Sequence, residues 1–361
     1  MIVIFFTNGV VSTVADFYIG TSDFSDLVER IIKDSKVAAP IEASGKLHLL
    51  EIFPDNIPEI RLSGFRTVES FKSYFFKLTE RVSKYFNKDE IPQPEKLTII
   101  GARSCDLEGL EILDRIFTED DFKDPFYIAN REKVTIISSD CTDCGNTCFC
   151  SLVKGNPYPL KFFDLNLSPI KTGFIVEIGT EKGKKLVDEN RDLFLKPTQD
   201  ALDQKKRNRE KIMDLLMEKN KKFQFKLDFS EIHKMNLENK VWRTLTKDCV
   251  ECSACNFICP TCSCFLLLDQ EKNNKSERYK VWDACLKAGY ARVAGGANPR
   301  AKLYQRLQNR YHCKFDYSFD RLDRYTCVGC GRCIDGCAGK IDMRDIFMEL
   351  EKQVPLTAKL K

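Results

Sequence analysis

CVECSACNFICP, running from Cys249 to Pro260, places four thiols within a dozen residues and closes on Cys-Pro. The spacing C-x2-C-x2-C-x3-C-P wraps three thiolates around one cubane on a tight loop and sends the fourth to a different cluster, the bacterial two-cluster arrangement. One copy implies a second. CVGCGRCIDGC supplies it from Cys327 to Cys337 at the same spacing, with Ala338 where the proline would stand. By that logic Cys249, Cys252, Cys255 and Cys337 hold one [4Fe-4S] cluster, here cluster 1, while Cys327, Cys330, Cys333 and Cys259 hold cluster 2. Structural zinc also uses Cys-x2-Cys pairs, but it accounts for two thiols per loop and leaves two without a task. Cys255, Cys259 and Cys262 formally spell C-x3-C-x2-C, the spacing of radical S-adenosylmethionine enzymes. The overlapping motif already employs Cys255 and Cys259, and the chain lacks the eightfold strand-helix alternation of a barrel.

The rest of the composition fits that reading. At 361 residues the chain exceeds the usual single-domain size, so two domains are expected. Its 57 basic and 53 acidic side chains leave only +4, which gives no reason to expect nucleic acid. The longest apolar runs, MIVIFF at the start and FLLL at Phe265 to Leu268, are too short to cross a bilayer, and the first residues lack an export signal. A cytoplasmic location is expected. A reducing compartment disfavours disulfides, so the 17 cysteines, an odd number, point to metal.

Periodicity organises the chain around those thiols. DLVERIIKD reads as a helix, followed by strands KVAAPIEA and KLHLLEI. VESFKSYFFKLTERVSKYF, residues 68–86, carries apolar positions at helical spacing. LTIIGA and VTIISSD are compact apolar strands, and between them DLEGLEILDRIF puts Leu107, Leu110, Leu113 and Phe117 on one helical face. This order predicts a parallel βαβ unit. KFFDLNL and TGFIVEI read as a hairpin and KKLVDENRDLF as a helix, while the charged run between Gln204 and Lys222 reads as an exposed helix joining the halves. The expected fold is an α/β domain over residues 1–228, with residues 1–23 as an extension. A mostly α-helical two-cluster ferredoxin-like domain over 229–361 follows, interrupted by an insertion at 265–323.

A second cysteine patch, CTDCGNTCFC from Cys141 to Cys150, follows the VTIISSD strand, and Cys105 follows LTIIGA. Ligands in open α/β sheets gather at the carboxyl ends of strands, which puts Cys105 near Cys141. Cys105 also opens a helix whose free amides favour an anionic thiolate or cluster. Cys148 and Cys150 can complete four ligands for a third [4Fe-4S] cluster, although five cysteines compete for four places and a zinc knuckle is the alternative.

GARSCDLEGLEILDRIF, DPFYIANREKVTIISSDC with CFC, CVECSACNFICPTCSCF, VWDACLKAGYARVAGGANPR and CVGCGRCIDGC together carry a family resemblance. From about Phe24 to the end the chain resembles the iron–sulfur beta subunit of cytoplasmic sulfhydrogenases, which are nickel-iron hydrogenases, and its relative, the corresponding iron–sulfur subunit of anaerobic sulfite reductases. The resemblance implies an electron relay. One end of the relay is a flavin-bearing NAD(P)H-binding subunit, and the other is a catalytic hydrogenase or sulfite reductase subunit. The resemblance also implies Cys105, Cys141, Cys148 and Cys150 as the ligands of the third cluster, with Cys144 spare. Ala338 departs from the family's proline, and residues 1–23 have no counterpart.

Cys262, Cys264 and Cys285 lie at family positions without a cluster to serve. Packing around the clusters is the first reading, with sulfur redox chemistry or part of an extra metal site needing one more ligand as the others. Cys313 has still less support. The histidines His48, His233 and His312 stand at no metal-ligand spacing. Arg103, two residues before Cys105, is expected to make a loop salt bridge, or else to hydrogen-bond a cluster sulfur. No G-x-G-x-x-G follows a strand and no Walker loop occurs, so nucleotide binding is expected in a partner. The basic, aromatic insertion is expected to include a helix and to shield a cluster or form a docking surface. Three functions follow: an electron-transfer subunit, a directly catalytic sulfur- or polysulfide-reducing component acting through Cys262, Cys264 or Cys285, and a redox-inert zinc scaffold.

Overall fold

The computed structural model describes residues 16–84, 91, 93–119, 123–272 and 275–355. MIVIFF and most of the 1–23 extension lie outside the described residues, as do Tyr85 and Phe86 at the end of the 68–86 stretch. The chain forms two compact units that interleave along the sequence. The first takes residues up to Phe75, Ile91–Asn146 and Lys154–Met217; the second takes 76–90, Thr147–Val153 and everything from Glu218. Ten strands run in chain order among the described residues: β1 Phe17–Gly20, β2 Lys36–Ala43, β3 Lys46–Ile52, β4 Thr79–Lys84, β5 Leu97–Ala102, β6 Val134–Ser139, β7 Leu165–Ile170, β8 Gly173–Ile178, β9 Phe265–Lys272 and β10 Lys275–Trp282.

The first unit is built on a seven-stranded sheet of order β1-β8-β7-β6-β5-β2-β3. Its centre, β2, β5, β6 and β7, is parallel, and both edges are antiparallel. Strand LTIIGA, helix Ser104–Thr118 and strand VTIISS form the expected crossover. The helix buries Leu107, Leu110, Leu113 and Phe117, one apolar stripe at helical period. A β7–β8 hairpin is present, but its first strand is LNLSPI, Leu165–Ile170, so it starts four residues later than KFFDLNL and turns later too; a helix follows, Glu181–Glu189, whose first turn is capped by the Thr180 hydroxyl accepting from Gly183 N–H. The charged helix starts earlier than expected, at Gln199, and ends at Asn220. Part of the extension has a structural task, since β1 closes the sheet edge against β8.

That helix returns a cation to the sheet. Arg209 reaches the buried carboxylate of Asp140 with Nε at 2.7 Å and Nη2 at 3.2 Å, and also bonds Glu177. Asn166 and Ser168 donate to the same Asp140 carboxylate at 2.9 and 2.7 Å. Breaking a buried pair from one side leaves an unpaired charge, so Arg209→Met is expected to cost about 3–5 kcal/mol in denaturant unfolding. Adding Asp140→Asn should recover a large part of it; additive losses would show that the pair is not coupled. Burial alone pushes the Glu177 carboxyl up, but Arg209 and Lys205 overcome it and hold it below its ordinary 4.5. The stability this carboxylate contributes is present above that pH and is lost as pH falls below it.

The second unit centres on an aromatic core of Phe229, Trp242, Tyr311, Phe315 and Phe347, into which Phe149 also inserts. Beside its helices it carries a three-stranded antiparallel sheet, β4-β10-β9, which the expectation of a mostly helical domain did not include. The 68–86 stretch is helical only over Lys72–Phe75 and turns to strand at Thr79. The β10 ladder overrides its helical period, and the buried pair Lys280–Glu80, at 2.8 Å, ties the two strands side to side. The insertion contributes both β9 and β10 and the expected helix, Leu303–His312. Among the described residues, no helix is long and apolar enough to cross a membrane.

Candidate metal centres

The two cysteine loops of the second unit are backbone replicas. Glu251 and Ser253 have φ of 56° and 61°, and Gly329 and Gly331, at the equivalent places, have 62° and 72°. Cys252 and Cys330 are thus each flanked by two left-handed residues that curl the chain around a centre. Glycine is required twice over in the second loop. A Cβ on Gly329 would lie 2.5 Å from Cys150 Cα, and one on Gly331 2.2 Å from Thr147 O. In the first loop the side chains are used instead, Glu251 pairing with the buried Arg306 at 2.7 Å. Each loop runs into a short helix, Ala254–Phe257 and Arg332–Asp335, and these pack on each other.

The thiols interleave across the loops. One cavity is lined by Cys249, Cys252, Cys255, Cys333 and Cys337, with Arg310 on its wall. Leu286, Leu307 and Tyr311 of the insertion complete that wall, so the insertion covers this cavity. Cys259 faces the other loop. The Thr261 hydroxyl, 3.2 Å from Cys259 Sγ, donates to Thr326 O at 2.6 Å, beside Cys327. Burial pushes the Cys327 thiol up to about 12, with Cys259 and Cys330 adding to it against the Gly329 N–H. Burial likewise raises Cys249, helped by Cys337 and Cys252, and Cys255, against Arg310. Buried thiols of this kind stay protonated until a cation displaces the protons.

Two buried cations stand among these sulfurs. Arg310 and Lys314, 4% and 2% exposed, have no carboxylate partner among the described residues. Arg310 Nη2 donates to Cys255 O at 3.2 Å, its Nε has no partner, and its neighbours in charge are Cys255, Cys333, Cys262 and Cys259. Lys314 bonds the Thr261 hydroxyl and Thr326 O, and Cys259, Cys262 and Cys313 raise its pKa against burial. Cys259 is correspondingly held well below the ordinary thiol range, by a hydrogen bond from Cys262 and then, against burial, by Lys314 and Arg310. Burying a lone cation costs roughly several kcal/mol unless an anion offsets it. A thiolate-ligated cluster is such an anion, so the donor set fits the group.

The amino-terminal cysteines divide between the units. Cys105 lies in the first turn of Ser104–Thr118, and Cys141 directly follows β6. Arg103 joins these two strand ends, donating to Ser139 O at 3.3 Å, to Asp140 O and to Leu62 O at 2.9 Å. It is 1% exposed and makes no salt bridge among the described residues, so the expected loop ion pair is replaced by a clamp on carbonyls. Cys144 is buried in the same unit. Cys148 and Cys150 belong to the second unit, where Phe149 N–H donates to Gly329 O at 2.8 Å and Cys148 Sγ lies 4.0 Å from Cys330 O. Asn220 holds this segment, donating to Cys148 O at 2.8 Å and accepting from Arg344 at 2.9 Å.

Sequence reading missed Arg310 and Lys314, which lie in the insertion with no cysteine nearby except Cys313; their helical period places both on the inward face. It also missed that His233 and His312, far apart in sequence, bond the same Asp316 carboxylate in the core. His48 pairs with Glu69 at 2.7 Å near the surface.

Comparison with known proteins agrees with this geometry. A family model described as a 4Fe-4S dicluster domain matches residues 248–341, which contain both loops. The chain is thus an iron–sulfur protein whose cofactors are [4Fe-4S] clusters, of oxidoreductase type. It is 28% identical over 333 residues to the sulfhydrogenase 2 subunit beta of Pyrococcus furiosus, covering 91% of this chain and 96% of that one. It is 25% identical over 183 residues to the F420-dependent formate dehydrogenase subunit beta of Methanocaldococcus jannaschii, covering 50% of this chain and 39% of that one. The chain is a homologue of the iron–sulfur beta subunits of sulfhydrogenases, as its motifs imply.

Proposed function

We propose that this chain is the electron-transfer subunit of a cytoplasmic oxidoreductase complex. It relays electrons between two partners, a flavin-bearing, NAD(P)H-binding subunit on one side and a catalytic subunit of hydrogenase or sulfite reductase type on the other. Arg310 and Lys314 carry this reading, because two buried cations whose anionic neighbours are sulfurs favour anionic clusters at both loops. When bound, the clusters supply one-electron transfer at potentials set by charge, burial and hydrogen bonds to sulfur. The residues of this chain do the rest. Cys249, Cys252, Cys255 and Cys337 hold cluster 1, and Cys327, Cys330, Cys333 and Cys259 hold cluster 2. Ile341 N–H donates to Cys337 Sγ at 3.3 Å, and Leu286, Leu307 and Tyr311 keep water from cluster 1. We assign a third cluster to Cys105, Cys141, Cys148 and Cys150, which would supply a further one-electron site; Cys148 and Cys150 stand beside the Cys330 loop.

Anaerobic metal analysis with low-temperature electron paramagnetic resonance tests this. Three cubanes give about twelve irons per chain. A colourless protein containing zinc alone would overturn the relay. Cys105→Ala is expected to lower the count to about eight while leaving the signals of the two loop clusters in place. An unchanged iron count would remove Cys105 from the ligand set.

A further inference from the structure

Two imidazoles from separate segments of the second unit converge on one buried carboxylate. Ser230 and His233 lie one turn apart on helix Phe229–Lys234, so both face the same way. His312 ends helix Leu303–His312, and the π-helical turn Cys313–Tyr317 that follows carries Asp316. Single π turns are rare and collect at functional sites. Asp316 Oδ2 accepts from His233 Nδ1 and, at 2.5 Å, from His312 Nδ1, while its Oδ1 accepts from the Ser230 hydroxyl at 3.2 Å. One ligand atom from each of His233, His312 and Asp316 lies within 4.8 Å of the other two. His233 and Asp316 are 0% and 1% exposed, and the His312 side chain is a quarter open to solvent.

We propose that His233, His312 and Asp316 form a binding site for one divalent ion of the zinc class, separate from the iron–sulfur centres. The carboxylate carries the argument, because an ionised carboxylate is expensive to bury unless a cation offsets it. Asp316 has no lysine or arginine partner among the described residues, only two imidazoles, which are cations only when protonated. A divalent ion between the same three atoms supplies that charge while both imidazoles stay neutral. Two ring nitrogens and one carboxylate oxygen suit zinc and its transition-metal neighbours over magnesium or calcium, which take oxygen. Ser230 fixes the second carboxylate oxygen from outside, as ligating carboxylates require. Three protein ligands leave the fourth tetrahedral position to water, and the open edge of His312 is the way in. On binding, the ion takes the place of the two Nδ1 protons, and the ligand atoms part by about 1 Å.

The test equilibrates anaerobic, full-length wild type, His312→Gln and Asp316→Asn with zinc, then measures bound zinc and iron, zinc-edge X-ray absorption and the paramagnetic resonance of the loop clusters. Wild type is expected to hold about one zinc per chain that both variants lose, in a shell of nitrogen and oxygen at about 2.0–2.2 Å. Iron content and loop-cluster signals should match in all three. His312 sits at a helix end and is partly exposed, so His312→Gln tests the site even if the buried Asp316→Asn fails to fold. Equal zinc in wild type and His312→Gln would overturn the proposal. So would a sulfur shell at about 2.3 Å around the zinc that His312→Gln loses, which would place that ion on cysteines. Loss of a loop-cluster signal in His312→Gln would also overturn it, since the triad would then serve the clusters. An iron-free wild type would sink the relay reading while leaving the zinc comparison intact.

Discussion

Cys337→Ala is expected to remove about four irons per chain, and the cluster that disappears is the one held by the other loop. Cys337 lines the same cavity as Cys249, Cys252 and Cys255, and Cys259 faces Cys327 and Thr326. Each loop therefore lends its last thiol across. Cys337→Ala and Cys252→Ala should leave the same residual paramagnetic spectrum, and Cys259→Ala and Cys330→Ala should share the other. The magnetic interaction between clusters 1 and 2 should vanish in all four. If the spectrum of Cys337→Ala matched that of Cys330→Ala instead, the crossed assignment would be wrong.

Removing the buried cations has two effects of opposite sign. Adding an electron to a cluster adds negative charge, which Arg310 and Lys314 favour. Arg310→Met or Lys314→Met should therefore make the cluster potentials more negative. A unit charge a few ångströms away in a medium of effective dielectric near 20 corresponds to a shift on the order of 100 mV. The metal-free chain should respond the other way. Without an anion beside them these cations are unpaired buried charges, so their replacement by methionine should stabilise the apo form. A redox titration followed by paramagnetic resonance, set beside denaturant unfolding of the iron-free chain, measures both. Potentials unchanged in both variants would mean that neither charge acts on a cluster.

The sequence was most legible where one period governed a whole element. The Leu107–Phe117 stripe and the apolar LTIIGA and VTIISS runs each formed as read, because local pattern and tertiary burial agree there. The 68–86 stretch misled because its helical period is real only up to Phe75; beyond that, pairing of Thr79–Lys84 with β10, a strand nearly 200 residues away, decides the outcome. Cysteine spacing carried the loops because metal geometry acts over a few residues. It could not show Arg310 or Lys314, whose roles depend on which sulfur they meet after folding. Arg103 failed differently: an arginine near a cysteine looks like an ion-pair or cluster partner, while the carbonyls of Ser139, Asp140, Leu62 and Ser63 claim its donors.

Gly329 and Gly331 fit flush against Cys150 and Thr147, and Phe149 fills the aromatic core. A minimal fragment cut at the limits of the dicluster match, 248–341, would lack that plug, the β4 strand and the Phe347 helix. Anyone transplanting this module into another scaffold must therefore carry the short Thr147–Val153 tab from far upstream, or supply a bulky apolar substitute to seal the opening left behind.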